Sequence, residues 1–191
     1  MKMTCSCLAL LACTLILVPA APAQHQIAVG AGVDLMLPVG SFADNWGMGI
    51  GGTAELDYLL SSHTSLTGKL GYLTWSGKDL PSGISATYGG VPFLVGVKYY
   101  PHLFVSQSGG PGIRAYGHLE LGLMFGSVSL TGTSRGYTGS ISGSTTDFTI
   151  VPSLGVEIPA GSKGAVDLSV RYFDISKKSS IGFRAGYKMV L

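Results

Sequence analysis

Ile181-Gly-Phe-Arg-Ala-Gly-Tyr-Lys-Met-Val-Leu191 is the stretch that decides the fold. Ile181, Phe183, Ala185, Tyr187, Met189 and Leu191 are apolar and share one parity, while Gly182, Arg184, Gly186 and Lys188 share the other. Side chains alternate faces along a strand, so this segment has one greasy face and one that is small or cationic. A soluble sheet could pack the greasy face inward. It could not easily explain why each further candidate strand repeats the partition, with an export signal in front. The pattern predicts an all-β chain, an eight-stranded antiparallel up-and-down transmembrane β-barrel. This segment is its closing strand, with Phe183, Tyr187 and Leu191 on the lipid face.

Working outward, residues 1–23 read as a signal peptide: Lys2 opens it, Leu8–Val18 is apolar, and Ala21-Pro22-Ala23 offers small residues for cleavage. The apolar run is shorter than the roughly 20 residues of a membrane-spanning helix. Leu10-Leu11-Ala12-Cys13 resembles a lipoprotein box, but the apolar run continues past Cys13, which argues for cleavage near Ala23. Cys5, Cys7 and Cys13 all fall in the signal, so residues 24–191, the expected barrel domain, have no thiol for a disulfide or a metal.

Charged residues make up 12% of the chain, about half the share of a soluble domain. Glycine is abundant, and no second apolar run is long enough for a spanning helix. With a formal net charge of +2, nucleic acid is not an expected partner.

Alternation places the eight strands at Gln26–Met36, Met48–Leu60, Ser65–Trp75, Tyr88–Tyr100, Ile113–Gly126, Asp147–Pro159, Ala165–Phe173 and the closing segment. Between the fifth and sixth lies Ser127–Thr146, rich in Ser, Thr and Gly and read as a loop. Parity slips at Gly126, which implies a bulge or an exit from the membrane.

On the non-apolar face of these strands fall Asp34, Glu55, Asp57, Glu120, Glu157 and Asp167, together with Lys69, Lys98, Arg114, Arg171, Arg184 and Lys188. None falls on the apolar face, where Arg or Lys at mid-membrane costs about 2–4 kcal/mol. Acids and bases balance, so the expectation is a polar network that fills a narrow lumen and leaves no open pore. Tyr58, Tyr99 and Tyr187 fall toward one rim, and Tyr72, Phe125, Phe148, Tyr172 and Phe183 toward the other, as two aromatic girdles would.

Gly30-x-Gly32, Pro38-x-Gly40-x-Phe42, Gly71-Tyr72, Gly96-Val-Lys-Tyr-Tyr100 and the closing strand carry a resemblance to the small outer-membrane barrels typified by OmpX and the transmembrane domain of OmpA. Many such proteins end in Phe, where this chain has Leu191. The resemblance implies residence in the outer membrane of a Gram-negative cell and contact with its lipid and lipopolysaccharide. It also implies recognition of the last strand by the barrel-assembly machinery, a monomer, and a possible surface ligand at the outer loops.

Catalytic constellations are thin. His63-Thr-Ser65 resembles the His-x-Ser of outer-membrane lipid A deacylases, but it falls on a turn and no Asn follows. His118 and Glu120 share the lumen with Arg114 and read as network members ahead of an acid–base pair. Gly30-x-Gly32 lacks the helix of a dinucleotide site. The four histidines are scattered, so neither a metal nor a cofactor is expected. The reading is a non-enzymatic barrel with a structural or surface-interaction role. Its alternatives are a deacylase-type enzyme or a soluble calycin-like ligand-binding barrel, which would invert the two faces. With both chain ends on the periplasmic side, 37–47, 76–87, 127–146 and 174–180 face outward.

Overall fold

In the computed structural model the described residues are 26–101, 112–134, 137–176 and 178–191. The expected signal peptide lies outside them, as do residues 102–111 of the Pro101–Gly112 connection and the loop residues Arg135 and Gly136.

Eight strands are described: β1 Ile27–Val39, β2 Trp46–Ser61, β3 Thr64–Gly77, β4 Ile84–Tyr99, β5 Arg114–Ser134, β6 Tyr137–Pro159, β7 Gly164–Ile175 and β8 Lys178–Val190. Each pairs antiparallel with its sequence neighbours, and β8 returns to β1, closing an up-and-down barrel. At the seam Asp34 stands opposite Arg184, Leu35 opposite Phe183 and Ala31 opposite Tyr187. Closure removes the free edge that would otherwise leave backbone N–H and C=O groups unpaired in lipid.

Alternation fixes the two faces. Val33, Ile50, Leu56, Leu70, Phe93, Val95, Leu119, Leu121, Leu154, Val170, Phe183 and Tyr187 are exposed on the outside. The charged residues between them point inward and are buried. A soluble ligand-binding barrel would have this the other way round.

Two prolines interrupt the ladders. β3–β4 pairing passes from Leu70↔Phe93 to Leu73↔Gly90 around Pro92. β6–β7 pairing passes from Ser153↔Arg171 to Ile150↔Asp174 around Pro152. Proline has no N–H to donate, so the ladder lapses on one side of each.

The largest difference from the sequence reading is in β5 and β6. They are 21 and 23 residues long, about twice the 9–11 that cross a bilayer. The Ser/Thr/Gly-rich stretch is therefore mostly a hairpin, paired without a shift from Arg114↔Glu157 to Ser134↔Tyr137. Beyond the membrane no face has to be greasy, so a polar strand leaves no apolar stripe to be recognised. Nor is there a bulge at Gly126. Val128 stays on the inner face and packs against a cluster of apolar residues there.

Candidate functional site: the filled lumen and the long hairpin

The lumen has two layers. Nearer the chain termini is a layer of charges, each carried by an inward position of its strand. Glu55 on β2 lies at its centre. It receives Lys98 at 2.6 Å, Arg184 at 3.1 Å and Lys69 at 3.2 Å. Lys69 also reaches Glu120 at 3.0 Å, and Arg171 joins Glu120 at 2.9 Å to Asp34 at 2.7 Å. Arg184 spans to Asp167 at 3.2 Å, and Lys188 holds Glu157 at 2.7 Å and Asp57. Neutral groups complete the acids: Thr53 donates to Asp34 at 2.7 Å, Tyr100 to Glu157 at 2.8 Å and Tyr116 to Asp167 at 2.9 Å.

Eleven of the twelve charged residues placed on this face by parity thus meet in one ion-paired body, each at most 7% exposed. Arg114 stands apart. It is half-buried at the terminal end of the lumen, its guanidinium 4.0 Å above the Tyr100 ring, and it donates to the Ser62 carbonyl at 3.3 Å. Each buried ion loses hydration, and only several close counter-charges offset that loss, so the layer is sensitive to removal of any one member.

Toward the hairpin end the same inward face turns apolar, which parity alone did not reveal. Met36, Leu73, Leu94, Met124, Val151 and Phe173 are fully buried there. Above them Phe42, from the 3₁₀ turn Gly40–Phe42, meets Trp75 at 5.8 Å and Tyr88 at 5.9 Å between ring centroids, and Trp46 at 6.0 Å. The signal was present as unbroken apolar runs, Leu35-Met36-Leu37, Phe93-Leu94-Val95 and Leu123-Met124-Phe125, whose middle member must point inward. Gly49 makes room for this plug, because a Cβ there would lie 2.6 Å from the Trp75 indole. Gly49→Leu is expected to destabilise the barrel by about 1–3 kcal/mol through overpacking. Trp46 and Trp75 are the only tryptophans, so their fluorescence maximum should shift to the red in folded protein, and an unchanged emission and stability would contradict the packing.

The residues that resembled catalytic groups are not assembled. His63 lies in the turn between β2 and β3, its Nδ1 2.7 Å from the Ser62 hydroxyl, while Ser65 is buried at the start of the next strand. His118 faces the Thr67 hydroxyl at 2.8 Å, with Glu120 at 3.8 Å. No metal-ligating cluster is found among the described residues.

An outer membrane protein beta-barrel domain model matches residues 7–188. The chain belongs to the outer-membrane β-barrel domain family. Its place is accordingly the outer membrane, with the apolar exterior against lipid. Among curated proteins no match is found. Solved barrels share the fold at low identity. Ail, the attachment invasion locus protein of Yersinia pestis, is 12% identical with a TM-score of 0.58, over 88% of this chain and 100% of that one. OprG of Pseudomonas aeruginosa is 11% identical with a TM-score of 0.59, over 87% and 96%. Neisserial surface protein A is 16% identical with a TM-score of 0.53, over 85% and 96%. Ail has also been solved in complex with the heparin analogue sucrose octasulfate.

What distinguishes the hairpin end is an unshared strand edge. β6 begins at Tyr137, yet its pairing with β7 begins only at Thr149↔Ile175. Along the preceding residues the only ladder β6 forms among the described residues is with β5. Residues 139–146 are exposed. Lys178, on β8, reaches across to Asp147 at 2.7 Å, where the free edge leaves the barrel wall.

Proposed function

We propose that this outer-membrane barrel is a non-enzymatic surface-contact protein, in which a stem without an open pore holds the β5–β6 hairpin above the outer leaflet. The observation that carries the reading is the hairpin itself, roughly ten residues of β6 with one free, uncharged edge and no proline to blunt it. Such an edge offers alternating N–H and C=O groups to a partner strand or a polar ligand. Ail's complex with a sulfated saccharide analogue makes ligand contact by a barrel of this fold a reasonable parallel. Between Ser127 and Thr146, however, the only charge in the sequence is Arg135, so this hairpin suits a neutral or peptidic partner better than a polyanion.

The reading excludes a passive channel because two side-chain layers fill the lumen. It disfavours a deacylase because no described histidine stands with a nucleophile at the hairpin end. Outer-leaflet lipopolysaccharide surrounds the apolar wall, the assembly machinery engages β8, and the barrel works as a monomer. The signal peptide is removed near Ala23.

Orientation is tested by epitope tags at Gly139, in the hairpin, and at Gly109, in the opposite connection. Antibody on intact cells should label the first and not the second. The reverse pattern would move the contact surface to the periplasm and end the proposal.

A further inference from the structure

At the terminal end the lumen opens into a recess of about 500 Å³, lined by Ala28, Leu59, Pro159 and Val190 and by the charged residues Asp57, Arg114, Glu157, Lys163 and Lys188. That volume lies in the range of small-molecule sites. Its charges are unevenly satisfied. Asp57 and Glu157 are held by Lys188 and also by Lys98 behind them, at 3.3 and 3.6 Å. Tyr100 donates to Glu157 as well. Arg114 and Lys163 take part in none of the described ion pairs. Every acidic side chain of the chain is among the described residues, so neither cation has an Asp or Glu at ion-pair distance.

Arg114 is also held in place. Its guanidinium sits 4.0 Å over the Tyr100 ring and spends one donor on the Ser62 carbonyl. Its remaining N–H donors keep the forked geometry that suits an oxyanion. Lys163, exposed in the turn between β6 and β7, adds a point charge on the same recess. The apolar wall offers room for a short carbon skeleton.

We infer that this recess binds a phosphate group, held by Arg114 and Lys163, with the attached glycerol-sized skeleton against Leu59 and Val190. The phosphate could be carried by a phospholipid headgroup at the membrane edge or by a soluble phosphate ester, and both present the same oxyanion. The site is at the opposite end of the barrel from the proposed contact hairpin and does not depend on it.

The test uses the whole folded barrel in nonionic detergent micelles. It is titrated by isotope-edited NMR of the arginine side chains with glycerol 3-phosphate, with dihexanoyl phosphatidylglycerol, and with glycerol as a control. Saturable shifts are expected with at least one phosphate probe and none with glycerol. Saturation by both probes assigns a soluble ester as sufficient; saturation by the lipid alone assigns the headgroup. Arg114→Gln should weaken binding about tenfold, the scale of a lost charged hydrogen bond. Lys163→Gln, at an exposed turn where folding is not at risk, should weaken it about threefold. Lys78→Gln, in the β3–β4 connection at the other end, should leave it unchanged. Saturation by neither probe, equal saturation by glycerol, or affinity untouched by either recess substitution overturns the inference.

Discussion

Glu55→Gln will lower the unfolding free energy of the barrel by about 3–5 kcal/mol, the scale for breaking a buried ion network by removing one partner. Glu55 approaches Lys69, Lys98, Arg184 and, at 3.7 Å, Lys188. The amide keeps the shape but not the charge, so four cations would have to share Asp57, Asp167, Glu120 and Glu157. None can turn outward, because the outside is lipid. The comparison is Lys78→Ala: Lys78 faces Asp79 at 3.9 Å with both side chains more than half exposed, and its loss should cost under about 1 kcal/mol. Reversible urea unfolding in vesicles measures both. A Glu55→Gln barrel within 1 kcal/mol of the parent would mean that the charge layer contributes little to stability.

The fold was legible because a bilayer enforces one rule along every strand. In the segment from Ile181 to Leu191 each second residue meets lipid, and the same parity in seven other segments leaves few arrangements besides a closed barrel. The site was less legible, for physical reasons. Parity places Arg171 on the inner face, but its pairing with Asp34 on β1 and Glu120 on β5 depends on strand tilt and stagger, which no local pattern encodes. Arg114 has the same parity as the other charges yet lies at the mouth, because its position is the first of β5. Tyr100 and Tyr116 reach inward to Glu157 and Asp167, whereas a reading that assigns aromatics to girdles looks only outward. The long hairpin was hidden because Ser, Thr and Gly mark loops in most contexts, and only pairing with β5 makes a strand of them.

Phe183→Arg is the complementary test, on the other face of the closing strand. Phe183 is 45% exposed on the barrel exterior, opposite Leu35 on β1 and Val170 on β7. A guanidinium there meets hydrocarbon and costs about 2–4 kcal/mol, depending on depth. Arg184, one residue on, points the other way and is buried with Glu55 and Asp167. Phe183→Arg should therefore reduce the fraction reaching the outer membrane and the heat-modifiable, compact gel form. Arg184→Ala should still insert, since it adds no charge to the lipid face, but should melt earlier because Glu55 and Asp167 each lose a partner. Phe183→Leu, which keeps the apolar face, should behave as the parent. The discriminating measurement is the inserted fraction in membrane pellets, read separately from the melting temperature of whatever inserts. If Phe183→Arg and Arg184→Ala lower insertion equally while Phe183→Leu does not, the assignment of the two faces of β8 is wrong, and with it the reading of lipid outside and charge within.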